Sequence, residues 1–526
     1  MMMGDGIGYC NVRDLSERGG LLLGDGSERR NTVECVLGSW KQEDGPLVVL
    51  DRDGRLFERY GGRGLLADFE SANSAVPDVY STILSHRRYG RTPRESAKLI
   101  CDVMVREAKD RTSNDQFWST TGRKVVQEYI EYGLLNAYLA KIGATESWGN
   151  SLLDFSASHS MLSCLMDRLV SLGADEAERW GPRDENERID LLRSGNRSGR
   201  SKHAPKPLSL GEFMLKDILA RMYGEGSIPF RDTLVSYAGR NSQSNTTNCM
   251  LQSARAIGSS YFEFIRRIAD DEEFYGWLDT VDLELFAGAG GSQTEDTAGR
   301  TLPNILFVVS SADMAASSAA ALLTLLGCAA AADSAKRKVT CLIPDIADWD
   351  IFDGISKLKE IFPRALRLLA GCGDFGRASR RTDLSAVAYF DRITDMTGGN
   401  IVWHRSQDEF LKRAFKEHTS GLSLMYGVQD LGGNRLAAIE RRGDISYAYI
   451  PEAGETGLSP ARRKEREYDD TDASPLWWNS EIKLSPLPEE QEQEEEAEAG
   501  TRTVFSISPD ANAMTDKIWG GSEESE

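Results

Sequence analysis

No two cysteines stand at C-x-x-C spacing, and the eight cysteines and five histidines of the chain are scattered singly. A zinc site or a disulfide framework needs such ligands grouped at short intervals, so both are excluded and reduced, partly buried thiols are expected. Positive charge is also in short supply. Sixty-two Lys and Arg against 82 Asp and Glu leave a formal charge of -20, which argues against a surface that coats duplex DNA indiscriminately. A local basic patch at Arg193, Arg197, Arg200, Lys202 and Lys206 remains. No charged stretch followed by an apolar one opens the chain, so no signal peptide is read. Long apolar runs are nearly absent. The longest, residues 315–332, carries two serines, a threonine and a glycine and reads as a buried helix, not a membrane span. A cytoplasmic chain without a transmembrane segment is therefore expected.

What is present is an ordinary globular composition, with 40% apolar and 27% charged residues over a length of 526, enough for two to four domains. Short, continuous apolar runs recur at Leu21-Leu22-Leu23, at residues 46–51, at 304–309, at 339–343 and at 400–403. Helical stretches expected at 32–41, 315–332 and 351–369 alternate with them. That alternation indicates an α/β fold with a parallel central sheet covered on both faces. Between about residues 90 and 280 strands are scarce: 92–142 and 151–237 read as helical, and 194–207 as an exposed loop. From Pro451 the chain turns to Glu, Ser, Pro and Gly, a composition that cannot bury enough surface to offset ordering entropy. The expected organisation is residues 1–90 and 281–450 as two parts of one nucleotide-binding-type domain. Residues 91–280 form a mainly helical region with an all-α insertion, and 451–526 a disordered acidic tail.

The first strand runs into Gly24-Asp25-Gly26-Ser27-Glu28-Arg29-Arg30-Asn31-Thr32, the place where a P-loop NTPase puts its phosphate cradle. Against GxxxxGK[ST], Gly24 fits, Arg29 replaces the second glycine, Arg30 takes the lysine position and Asn31 the hydroxyl position. A cradle points backbone N–H groups at the phosphates while the lysine and hydroxyl hold the γ-phosphate and Mg²⁺. Arginine keeps the charge but not the compact ammonium, and asparagine substitutes poorly for the hydroxyl. The candidate nucleotide-binding residues are Gly24, Gly26, Ser27, Arg30, Asn31 and Thr32. Arg29 and Arg30 read either as a residual phosphate clamp or as a solvated loop beside a helix start. Phe117, Trp118, Trp148 and Trp180 fit a core better than a stacking platform for single-stranded nucleic acid.

The order of these stations resembles the type IV coupling proteins of conjugation and type IV secretion (TraG/TraD-like), in the RecA/FtsK-like ATPase group. LVVLDRDGRL at 47–56 resembles the family's LVVxDPKGEL, with Asp51 and Gly54 matching. Asn114-Asp115-Gln116-Phe117-Trp118 resembles its D-P-F-W element. Residues 254–278 resemble the helix and loop after its all-α domain. Leu342-Ile343-Pro344-Asp345-Ile346-Ala347-Asp348-Trp349 resembles the Walker B run L-I-D-E-F-A-D-L, and Thr382 in Arg381-Thr382-Asp383-Leu384-Ser385 stands where the family has a glutamine that contacts the γ-phosphate. The resemblance covers about residues 15–415 and implies a RecA-like P-loop NTPase fold and a cofactor, ATP with Mg²⁺. It also implies type IV secretion or relaxosome proteins as partners, contact with single-stranded DNA, and assembly as a hexamer or beside a paralogous ATPase subunit. Membrane association at the inner face of the cytoplasmic membrane would then come through partners.

The departures agree with one another. In this register Pro344 replaces the Mg²⁺-coordinating aspartate and Asp345 the catalytic glutamate, the one catalytic candidate. Hydrolysis needs positioned Mg²⁺, neutralised phosphate charge and an oriented water, and losing one such group costs a factor of about 10²–10³. A chain altered at all three is expected to hydrolyse weakly or not at all. Two alternatives remain: a divergent ATPase that pumps single-stranded DNA, and a stand-alone scaffold or regulator that keeps only the fold. The tail holds Glu489, Glu490, Glu492, Glu494, Glu495, Glu496 and Glu498, followed by apolar islands at Phe505, Ile507, Ile518 and Trp519. Apolar islands in an acidic tail suit a segment that folds on binding, so these four are the candidate partner-binding residues.

Overall fold

The computed structural model describes residues 8–10, 15, 17–68, 70–105, 113–141, 152, 244–270, 278–288, 303–310, 314–418, 435–453 and 461–463. Short, mainly apolar strands form its centre. β1 (Gly8–Tyr9), β2 (Gly20–Leu23), β3 (Leu47–Asp51), β4 (Leu65–Asp68), β7 (Ile305–Val309), β8 (Val339–Ile343), β9 (Leu366–Cys372), β10 (Asn400–Trp403), β11 (Arg435–Arg441) and β12 (Asp444–Ile450) make one sheet in the order β1-β12-β11-β10-β2-β9-β8-β3-β7-β4. From β10 to β4 every pairing is parallel; β11 is antiparallel to both β10 and β12. Leu21, Leu22 and Leu23 and residues 47–50 have no exposed surface, as strands covered on both faces must. Two further strands, β5 (Ala75–Pro77) and β6 (Asp279–Val281), pair by themselves.

The helices of this layer are α1 (Gly26–Ser39), α2 (Arg55–Tyr60), α3 (Val79–Ser85), α4 (Pro93–Met104), α7 (Met314–Ser334), α8 (Phe352–Ile361), α9 (Phe375–Ser379), α10 (Ala386–Met396) and α11 (Glu409–His418). α7 is the alanine-rich run, and it is buried almost all round. Among the described residues it is the one helix long and apolar enough to cross a membrane, yet 89% of its most apolar stretch lies inside the protein. Small side chains let it pack against α3 and α4 on several sides at once. One face of the sheet shares its core with α1 and α2 through Leu22, Val33, Val36, Phe57, Tyr60 and Phe307.

The chain divides into two compact units, the first comprising residues 1–106, 134–155 and 263–468 and holding the sheet. The described part of the second lies in α5 (Ser113–Lys141) and α6 (Ser244–Asp270), where Tyr129 meets Phe262 edge to face at 6.0 Å. Trp148, Trp180 and the basic stretch 193–206 lie outside the described residues.

Three local expectations are corrected. The helix expected over 351–369 stops at Ile361, and β9 follows as a central strand between β2 and β8. Pro363 cannot continue a helix and holds Phe362 out of the helical region, at φ -120° and ψ 57°. The helix expected from residue 32 starts at Gly26. Residues 451–453 and 461–463, expected in a disordered tail, instead bond to residues of the first unit. The Glu-rich run, Phe505, Ile507, Ile518 and Trp519 lie outside the described residues.

Asp51 ends β3 with 2% of its surface exposed, and its Oδ2 accepts a 2.8 Å bond from the Phe57 amide. Burial, reinforced by the charge of Asp53, pushes its pKa up to about 7. A folded-state pKa above the unfolded value gives stability that is full below about pH 4 and is lost as pH rises through about 7. Between pH 5 and pH 8 the wild type should therefore lose about 1–3 kcal/mol of unfolding free energy relative to Asp51→Asn. Denaturant unfolding of both proteins at the two pH values measures this, and parallel pH profiles would mean that Asp51 is ionised in the fold.

Candidate functional site

β10, β2, β9 and β8 are neighbours and parallel, so their C-terminal ends bring Trp403, Leu23, Cys372 and Ile343 to one edge of the sheet. In open parallel sheets ligands bind beyond that edge. The residues that follow each strand build the candidate site.

After β2 only Gly24 and Asp25 precede α1. Gly24 has φ +128°, and a Cβ there would stand 2.6 Å from His404 Cβ and 2.9 Å from the Arg405 carbonyl oxygen. The loop is stitched to the chain leaving β10: the His404 amide donates to Leu23 O at 2.8 Å, the Asp25 amide to Arg405 O at 3.1 Å and the Gln407 amide to Asp25 Oδ1 at 3.2 Å. A phosphate cradle needs a run of free backbone amides in a loop. Here the Glu28 and Arg29 amides already bond to Asp25 O within the first helical turn.

The candidate residues consequently do not surround one point. Gly26 and Ser27 lie exposed at the start of α1, and Arg30 projects to solvent. Asn31 is buried and turned to the chain leaving β12, where its Nδ2 donates to Pro451 O at 2.9 Å and its Oδ1 accepts from the Ala453 amide at 2.8 Å. Thr32 bonds Glu28 O at 3.3 Å and meets His404 Nε2 at 3.1 Å. Burial, with the cationic Arg29 and Arg435 nearby, pushes the His404 pKa down to about 3, so the ring is neutral. Thr382 lies in the turn after α9, with its hydroxyl donating to Ser379 O at 3.0 Å and accepting from the Leu384 amide at 3.3 Å.

The residue at the centre of the site is Arg29, which replaces the second glycine of the motif and is neither in a solvated loop nor free for a phosphate, because it lies buried in α1 and is paired with Asp345. Its side chain is 8% exposed and reaches across to Asp345 after β8, with Nη1 and Nη2 at 3.0 and 2.8 Å from Oδ2. The guanidinium lies so close over the β9 exit that a Cβ on Gly373 would come within 2.4 Å of Nη2. Asp345 Oδ1 accepts from the Ala347 amide at 3.0 Å, so both carboxylate oxygens are engaged. Burial raises the Asp345 pKa while Arg29 draws it down. Pro344 offers no side-chain oxygen, and among the described residues no group of three His, Cys, Asp or Glu could hold a metal ion. As arranged, these residues offer Mg²⁺ no free carboxylate, and the cation beside Asp345 is the chain's own.

No family model and no curated protein matches the chain. Solved structures do. The bacterial conjugative coupling protein TrwBdeltaN70, in a trigonal form with sulphate, is 13% identical over 89% of this chain and 92% of that one, with a TM-score of 0.46. The plasmid coupling protein TrwB with ADP and Mg²⁺ is 14% identical, and with the ATP analogue ADPNP 13% identical, at the same coverage and TM-score. These values describe a loose likeness spread over the whole chain.

A buried guanidinium and a half-buried carboxylate that face each other should be energetically coupled. In a double-mutant cycle of Arg29→Ala and Asp345→Ala, the two losses of stability should fall short of additivity by about 1–3 kcal/mol. Chemical denaturation of the four proteins gives the number, and simple additivity would mean that the pair does not hold the site together.

Proposed function

We propose that this chain is a coupling-protein-like component of a type IV secretion or conjugative transfer system, linking substrate or relaxosome to the secretion channel without hydrolysing nucleotide appreciably. The observation that supports the loss of hydrolysis is the Arg29–Asp345 pair, which spans the ends of β2 and β8 and engages the candidate catalytic carboxylate. The transfer role rests on the sequence order of stations resembling the coupling proteins, among them Asp51, Asn114 to Trp118 and the run around Asp345. On this reading the chain works as a subunit: in a hexamer or beside an active paralogue, at the inner face of the cytoplasmic membrane through partners. The acidic tail, with Phe505, Ile507, Ile518 and Trp519, docks relaxosome or secretion proteins. The divergent-ATPase alternative would need Asp345 released from Arg29.

Single-stranded DNA should raise no ATP turnover above background, and Pro344→Asp alone should create none. Groups that act on one phosphate are strongly non-additive, and Arg29 still engages Asp345 in that variant. A coupled-enzyme assay that finds about one turnover per second, abolished by Asp345→Ala, would instead establish the divergent ATPase.

Tail docking should be salt-sensitive, because exposed charges are screened beyond about 8 Å at physiological ionic strength. Relaxosome components should be captured by the full chain at low salt, less at high salt, and poorly by a chain ending at Pro488. Equal capture by both chains would remove the docking role.

A further inference from the structure

The entries to β8 and β9 lie at the edge of the sheet opposite Arg29, and there the charge of the chain, -20 overall, is reversed. α7 ends at Ser334 and β8 starts at Val339, while α8 ends at Ile361 and β9 starts at Leu366. The Val339 amide donates to Ala365 O at 2.8 Å and Val339 stands opposite Leu366, so the two connections run side by side. They bring together Lys336, Arg337, Lys338 and Arg364, all exposed, with Lys359 and Arg367, both half-buried. Lys359 Nζ donates to Leu366 O at 2.7 Å and Arg367 Nη1 to Thr340 Oγ1 at 3.3 Å, which holds these two at the strand entries. Burial and the positive charges of Arg367 and Lys338 push the Lys359 pKa down, so the three cations feel one another. Little opposes them. Among the described residues no carboxylate oxygen lies within 4.0 Å of the charged nitrogens of Lys336, Arg337, Lys338, Lys359 or Arg364. Glu17 faces Arg367, Asp333 meets His86 Nε2 at 3.3 Å and Glu360 meets Lys357 at 3.1 Å. The C-termini of α7 and α8 add about half a negative charge each, roughly one in all against these cations.

We propose that this edge, through Lys336, Arg337, Lys338, Lys359, Arg364 and Arg367, is a docking surface for an anionic lipid bilayer. Clusters of about four to eight Lys and Arg are attracted to such surfaces, each cation adding to the attraction. The cations stand on neighbouring connections at one edge, so a broad surface can meet them together. Among the described residues the exposed large apolar side chains are Tyr9 in β1 and Val387 in α10, so no aromatic at this edge stacks on bases and the attraction is coulombic. Helix C-termini, not N-termini, reach the edge, and the Lys336 and Arg337 amides already bond to Asp333 O and Ala332 O. A phosphate seated within the loops would find no row of free amides there. The choice of a bilayer over a nucleic-acid duplex follows from the surrounding charge. In a chain of charge -20, a rigid polyanion extending past the cluster meets repulsion, whereas a fluid bilayer gathers anionic headgroups under the cations and leaves neutral ones elsewhere. This assignment rests on the charge distribution of the fold and is independent of the transfer role and of the site at Arg29.

Flotation of the full chain with vesicles tests this, using phosphatidylcholine alone or mixed with phosphatidylglycerol, at low and at high salt. The mixed vesicles should bind at least about tenfold more tightly than the neutral ones, and the difference should collapse at high salt, where exposed charges are screened. The triple variant Lys336→Gln, Arg337→Gln, Lys338→Gln changes only exposed side chains and should bind the mixed vesicles about a hundredfold more weakly, each cation contributing a factor of about five. Arg364→Gln alone should lose about that single factor, and serves if the triple variant does not fold. Arg337→Lys should bind as the wild type does, because charge and not guanidinium geometry is read. Arg380→Gln, Arg392→Gln and Arg413→Gln together remove the same charge from exposed positions elsewhere and should leave binding unchanged. Equal binding to the two kinds of vesicle would overturn the proposal. Equal losses in the two triple variants would mean that net charge alone is sensed, and would overturn it too. A labelled DNA duplex bound through residues 336–338 while the mixed vesicles are not would make this a nucleic-acid surface instead.

Discussion

A guanidinium taken out of water must meet an acid, and the C-terminal edge of this sheet is arranged around that requirement. Arg29 leaves the first turn of α1 and finds Asp345 across the end of β9. Gly373 is without a side chain where the guanidinium passes, and the loop from β2 is short enough to start α1 where Arg29 can reach. Each is a condition of the others. A longer loop would carry Arg29 away, a Cβ at residue 373 would collide with it, and without Arg29 the half-buried carboxylate of Asp345 would lose its cation. Pairs of this kind add little net stability against an apolar alternative, but they are costly to break by halves. That asymmetry fixes one arrangement of the edge.

The same logic recurs at the far end of the sheet. Asp68 ends β4 fully buried and is met by Arg463, which follows β12 in the sequence. Asp51, ending β3 between these two places, has no such cation; its carboxylate is satisfied by the Phe57 amide and rises in pKa instead. Three acids at the ends of parallel strands thus have three different solutions: a cation from the neighbouring helix, a cation from the segment after β12, and a pKa raised by burial. The first engages a carboxylate at the exit of β8. The second ties residue 463 to the end of β4.

Much of the fold was legible because parallel strands buried on both faces must be written as continuous apolar runs. Leu21 to Leu23, residues 47–50, 305–309 and 339–343 announce themselves in this way, and so does the alanine-rich α7. β9 was not legible. Its Leu366, Leu368, Leu369 and Ala370 suit a helix as well as a strand, and only insertion between β2 and β8 decides the matter. The hairpin β11–β12 likewise depends on the free edge that β10 presents.

The sequence by itself determined that Arg29, Asn31, Pro344 and Thr382 differ in side-chain chemistry from the residues that the resembling motifs use for phosphate and Mg²⁺. What those residues do instead was decided only by the tertiary structure. Arg29 and Asp345 are 316 positions apart, Asn31 and Pro451 are 420 apart, and Asp68 and Arg463 are 395 apart. No local pattern links residues so distant, because a side chain's partner is set by which strand ends the sheet brings together, and that order follows from the packing of the whole core.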